Sequence, residues 1–90
     1  MSDSELPNQK PFTSSVDHLA AARGALFVVQ SYYQRGFDAE RTRRRLQTLM
    51  HRSRRAGLWT ADQYTYAAHV WADAIHRQYG VRVTFDPAYD

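Results

Sequence analysis

Three glycines divide this chain into three stretches that each have the apolar spacing of an α-helix, and this feature restricts the fold more than any other. Gly36, Gly57 and Gly80 each follow such a stretch, and glycine readily adopts the left-handed conformation that ends many helices. Apolar residues before each glycine recur three and four positions apart, which places them on one face of a helix. The sequence therefore predicts helices over about 15–35, between Asp38 and Gly57, and over about 61–79.

Residues at the start of each stretch are those that cap helices. Asp38 is placed to cap the second helix, and Thr60 with Gln63 has the spacing of a capping box for the third. Ser14 with Asp17 approximates the same box for the first helix. Since the connections are only a few residues long, successive helices are expected to be antiparallel neighbours. The fold class predicted is all-α, a three-helix antiparallel bundle.

The ends of the chain lack the helical spacing. Residues 1–13 are predicted to be a flexible arm, 14–80 the three-helix domain and 81–90 an extended tail. The tail alternates apolar and polar residues from Val81 to Asp86, which is typical of a strand. With no second strand predicted, the tail either packs irregularly on the bundle or pairs with another chain.

The composition excludes several classes of protein. There is no cysteine, which removes thiolate zinc sites and cysteine nucleophiles. The longest apolar run, Ala25 to Val29, is far short of the ~20 residues that span a bilayer. The polar start of the chain is unlike a signal peptide. We therefore expect a cytoplasmic protein that does not enter a membrane.

Catalytic and metal-binding motifs are not evident. Each glycine stands alone, so no glycine-rich phosphate loop is present, and no local set of nucleophile and base can be recognised. His69, Asp73 and His76 share a face of the third helix and are types that bind metals, but one helix rarely supplies a complete site. Pairing of Asp73 with His69 or Arg77 on a solvated face is the favoured interpretation. The prediction is a protein that is not an enzyme and has no metal site, cofactor or small-molecule substrate.

The first helix has more apolar surface than one packed stripe requires. Beyond its stripe it carries further apolar residues, so it is apolar over most of its circumference. Either it is the central helix with the tail over its far side, or a second chain covers the remainder. The second interpretation predicts a protein-binding surface and a homodimer or other partner. The residues of this predicted surface are Leu26, Phe27, Val28, Tyr32 and Tyr33.

The second helix is strongly basic. Seven arginines stand against Asp38 and Glu40 there, a local net charge of +5 in a chain whose total is +3, so the rest of the chain is net negative at −2. Such a face binds phosphate backbone or an acidic protein surface, or simply keeps the protein soluble. The residues of the predicted basic face are Arg41, Arg44, Arg45, Arg52 and Arg55.

The second and third helices do not have the charge distribution of a DNA-reading helix–turn–helix. In that motif the second helix of the pair enters the major groove. Here that helix begins with Ala61-Asp62-Gln63-Tyr64 and its only arginine is Arg77. Nucleic acid therefore stays as the alternative partner, through phosphate contacts of the basic face rather than through base reading.

The favoured prediction is a small regulatory protein that binds another protein. In size and helical architecture over residues 15–79, the chain resembles the small all-helical bacterial anti-activators, which sequester transcription regulators, including those of quorum sensing. The resemblance implies a partner that is a transcription regulator. It also implies a mechanism in which a helical face, through Phe27, Val28 and Tyr32, blocks the target's dimerisation or activity.

Overall fold

The chain folds into three helices. The computed structural model describes the backbone of residues 15–88 and the side chains of residues 23–88. The helices are α1 (Ser15–Gln34), α2 (Ala39–Arg55) and α3 (Ala61–Tyr79), and no strand forms within residues 15–88. The predicted all-α, three-helix fold is confirmed. The predicted arm over 1–13 and the predicted cap at Ser14 lie outside the described residues.

The predicted helix ends form by local hydrogen bonding. An Asp38 carboxylate oxygen accepts from the backbone N–H of Arg41 at 2.8 Å. Thr60 and Gln63 form the reciprocal capping box, with distances of 3.1 and 2.8 Å. Gly80 ends α3 with a φ of 73°, in the left-handed region that glycine alone adopts freely. These contacts link residues close in sequence, which is why the sequence predicted the helix ends closely.

α3 lies between the other two helices. The Thr42 hydroxyl near the start of α2 is 2.8 Å from the Tyr79 hydroxyl at the end of α3. Gln47 bonds Tyr64 near the start of α3 at 2.7 Å, so α2 and α3 are antiparallel. The ring of Tyr33, near the end of α1, lies 5.3 Å from that of Tyr79, so α1 runs parallel to α3. α1 and α2 touch each other much less than either touches α3.

The core is built from one stripe of each helix. Small residues of α3, Ala67 and Ala74, lie beside α1, and the larger Tyr64 contacts α2. Because α3 contacts both neighbours, it is the central helix, and the alternative that placed the first helix at the centre was wrong. The most deeply buried large side chains are Val29, Leu46, Met50, Tyr64 and Ile75.

The tail packs irregularly on the bundle, as one of the two predicted alternatives required. Val83 and Phe85 pack against the core, and residues 81–88 form no regular secondary structure. The Asp86 backbone N–H donates to Gln47 Oε1 at 2.6 Å, while its carbonyl accepts from the Tyr64 hydroxyl at 2.7 Å. These hydrogen bonds attach the tail to α2 and α3, and they leave the outer face of α1 uncovered at Phe27.

Candidate binding surfaces

The outer face of α1 is exposed and carries no charge between its two bordering arginines. From Gly24 to Gln34 no residue is charged, and Arg23 and Arg35 stand at either end. On this face the Phe27 side chain is 72% exposed, and Tyr33, about 120° further round the helix, is 52% exposed. An aromatic ring that is mostly exposed contributes little to folding, and its place on an uncharged face is typical of a protein-binding surface. We refer to the exposed residues of 24–34 as the α1 face.

A cleft borders the α1 face on each side. On one side a groove of about 410 Å³ separates α1 from α3. On the other side a cleft of about 290 Å³ is lined almost wholly by apolar atoms. The groove is lined by Arg23, Leu26, His69, Val70, Asp73, Ala74 and Arg77. The apolar cleft is lined by Gly24, Ala25, Val28, Trp59, Tyr66, Ala67, Val70 and Trp71.

The five residues predicted to form the protein-binding surface fall in three environments. Phe27 and Tyr33 are exposed on the α1 face, while Leu26 and Val28 are half-buried in the walls of the two clefts. Tyr32 is only 8% exposed, belongs to the core and stacks on Phe37 with ring centroids 5.0 Å apart. Its placement at the binding surface was wrong, because α1 turns this position towards the other helices.

Aromatic residues of the apolar cleft were not predicted as part of this surface. Trp59 comes from the turn before α3, and Tyr66 and Trp71 come from α3 itself. Trp71 shares the three- and four-residue spacing of Ala68 and Ile75, which predicts a place in the core, and no sequence pattern gives Trp59 a role. Their meeting beside Val28 depends on how α1 packs against α3. The one available signal was the chain's content of two tryptophans and six tyrosines, residue types enriched at interaction hot spots.

The five arginines of the predicted basic face are all exposed on α2. Arg41 lies over the Phe37 ring with its guanidinium carbon 3.9 Å from the centroid, a cation–π contact that leaves the charge in place. Arg44 is 3.9 Å from a Glu40 carboxylate oxygen, and its side chain is 66% exposed. The other three make no ion pair with any carboxylate of residues 23–88. The positive charge of this face is therefore presented to solvent.

The two remaining arginines of α2 have structural partners. Arg43 donates two hydrogen bonds to the Glu40 carboxylate, at 3.0 and 2.7 Å. The hydrogen bond from Arg43 lowers the pKa of Glu40 below its ordinary value. Arg54 donates to the Trp59 carbonyl at 2.8 Å, which ties the end of α2 to the following turn. Both are half-buried, which separates them from the five exposed arginines.

One ion pair between residues of α3 forms at the surface. Arg77 Nε donates to an Asp73 carboxylate oxygen at 2.8 Å, one of the two pairings predicted for Asp73. Both side chains are more than half exposed, so the pair contributes little to stability. No group of three or more metal-ligating side chains comes together among the described residues.

Comparisons with known proteins identify no relative of this chain. No protein-family model, curated protein sequence or solved structure matches this chain. Within the part of the chain that the structure describes, no helix is long and apolar enough to cross a membrane.

Proposed function

We propose that the protein is a non-enzymatic binding protein that holds an amphipathic helix of another protein against the α1 face. The observation that carries this proposal is the exposure of Phe27, at 72%, on a helix face without charge. Burying an aromatic side chain at an interface stabilises a complex, and aromatic residues near the centre of a contact contribute most. A bound partner helix would bury the Phe27 ring, which the fold leaves exposed.

The shape and charge of the surroundings define the partner's chemistry. An amphipathic helix lies in a groove through apolar side chains three and four positions apart, and the two clefts beside α1 offer places for them. Arg23 and Arg35 lie at the two ends of the uncharged stretch, separated by about 18 Å of helix. Opposite charges across an interface fix its register and raise the association rate. The partner helix is therefore expected to be apolar at its centre and acidic at its ends.

A transcription regulator that works as a dimer is the partner class we propose. Helical dimer interfaces present apolar stripes, and a helix bound to α1 would no longer be available to its own partner. Binding alone would then block dimerisation of the regulator, without a catalytic step. Self-association of this protein through the same α1 face is the other form that the proposal takes, and it would compete with the partner.

A pair of matched substitutions tests this function. Phe27→Asp places a charge at the centre of the α1 face, whereas Leu58→Asp places one at an equally exposed apolar residue, also 72%, between α2 and α3. The tagged wild-type protein and both variants are used to capture partners from nuclease-treated native lysate, and the captured proteins are quantified by mass spectrometry. We expect one set of proteins to be retained by the wild type and by Leu58→Asp and lost with Phe27→Asp.

Recovery of the same proteins by all three forms would overturn the proposal, because the α1 face would then not be the contact. Sedimentation of the purified proteins separates the two forms of the proposal. A dimer that Phe27→Asp converts to a monomer identifies the second copy as an occupant. Purified partner helices are then titrated by calorimetry, with Phe27→Asp again the variant expected not to bind.

A further inference from the structure

The exposed face of α2 differs in kind from the α1 face. Within Ala39–Arg55, five of the eight exposed residues are arginines, and the only large apolar one is Leu49 at 41% exposure. Interfaces between proteins bury a centre that is apolar and depleted of charge. No such centre exists on this face, so its charge fits a partner that is itself a row of charges. The three other exposed residues are Glu40, Thr48 and Leu49.

The arginines are arranged along a rigid line rather than in one cluster. At 1.5 Å per residue, the stretch from Arg41 to Arg55 extends about 21 Å along the helix axis. A shallow depression of about 250 Å³ lies near the N-terminal end of α2. It is lined by Phe37, Arg41, Arg44, Arg45 and Thr48. Guanidinium groups bind phosphate oxygens through paired hydrogen bonds, and threonine hydroxyls are common additional donors.

We propose that the exposed arginines of α2 bind the sugar–phosphate backbone of double-stranded DNA without reading its sequence. The duplex presents about one negative charge per 1.7 Å of its axis, so a line of guanidiniums meets phosphates along its whole length. This contact is independent of the function proposed for α1, since it uses a different helix and a different kind of partner.

Two observations favour duplex DNA over other nucleic acids. Single strands are held by stacking their bases on exposed aromatic rings. The exposed residues of α2 include no aromatic one, and neighbouring Phe37 is half-buried under Arg41 and against Tyr32. Duplex RNA is recognised partly through its 2′-hydroxyls, which donate as well as accept hydrogen bonds, whereas guanidinium groups can only donate. Thr48 is the one neutral polar side chain exposed on α2 that could also accept.

Fluorescence anisotropy of a short labelled DNA duplex of mixed sequence tests the proposal. If all five arginines contact phosphates, log K falls against log salt with a slope of about −4.5, so affinity drops about 500-fold between 50 and 200 mM salt. Arg45→Gln and Arg52→Gln should each reduce the slope by about 0.9 and weaken binding at 50 mM salt about 10-fold. Glutamine has nearly the helix propensity of arginine, so α2 is kept.

A single-charge control comes from the tail. Arg82→Gln removes the same charge from an exposed residue outside α2, and its binding should stay within about 2-fold of the wild type with the slope unchanged. The proposal is overturned if the duplex does not bind at low salt, or if Arg82→Gln weakens binding as much as Arg52→Gln. Equal or tighter binding of a single strand of the same length would also overturn it, as would equal competition by polyglutamate. Circular dichroism of each variant verifies that the helices remain.

Discussion

The hydrogen bonds that join Gln47, Tyr64 and Asp86 form a closed set, and Tyr64→Phe opens it by removing one hydroxyl. That hydroxyl accepts from Gln47 Nε2 and donates to the Asp86 carbonyl, each at 2.7 Å. Tyr64 is 1% exposed and Gln47 8%, so water does not easily replace the lost partner of the amide. An unsatisfied buried donor costs about 1–3 kcal/mol, and a lost hydrogen bond about 1 kcal/mol. Because exposed Asp86 can bond water instead, we expect a total of about 2–3 kcal/mol.

Chemical denaturation followed by circular dichroism measures this loss. For a domain of this size, 2–3 kcal/mol corresponds to a fall in Tm of about 10–20 °C. Tyr33→Phe is the matched control: Tyr33 is 52% exposed and its hydroxyl bonds no described residue, so its cost should stay below about 0.5 kcal/mol. The double variant Gln47→Met/Tyr64→Phe should cost less than the sum of its single changes, because no amide remains unsatisfied. A free energy of unfolding for Tyr64→Phe within 0.5 kcal/mol of wild type would refute the reasoning.

Four further substitutions test the backbone, a helix cap and a surface ion pair. Gly24→Ala, in the interior of α1, should raise the free energy of unfolding by about 0.5–1 kcal/mol, measured by urea denaturation. Gly80→Ala should lower it by about 1–2 kcal/mol. An added Cβ meets nothing within 4 Å at either site, so the opposite signs are expected from the φ of 73° at Gly80. Thr60→Ala removes the side-chain half of the capping box and should cost about 0.5–2 kcal/mol by the same assay, while equal stability would show that water replaces the cap. Because the hydrogen bond from Arg43 lowers the pKa of Glu40, ionised Glu40 stabilises the fold at pH values above 4.5, its ordinary pKa. This contribution disappears as the pH falls through the lowered pKa. Glu40→Gln should therefore flatten the dependence of stability on pH below about 4.5, and an unchanged acid limb would contradict the pairing with Arg43.

The two surfaces lie on helices that meet mainly through α3. α1 and α2 make few contacts with each other, so a charge placed at Phe27 is not expected to move the arginines of α2. The chemistry of the two faces also differs, since one lacks charge and the other is dominated by it. Binding at each surface can therefore be tested separately with single substitutions.

The sequence by itself determined the helices and their ends. Asp38, Thr60 and Gly80 act on backbone groups within a few residues of themselves, so short-range chemistry sets where each helix begins and stops. The exposure of the five arginines could also be predicted from the sequence, because guanidinium groups are rarely buried unless they are paired. Both kinds of inference need only local spacing and the cost of burying a charge.

Only the tertiary structure decided which apolar residues of α1 face inwards and what the tail does. Tyr32 and Tyr33 are adjacent in sequence and similar in chemistry, yet one is buried against Phe37 and the other is half exposed. An apolar residue gains as much from one packed neighbour as from another, so hydrophobicity does not choose between faces of a helix that is apolar nearly all round. The choice follows from how α1 meets α3. The tail depends likewise on Gln47 and Tyr64, which hydrogen bond Asp86 from far away in the sequence.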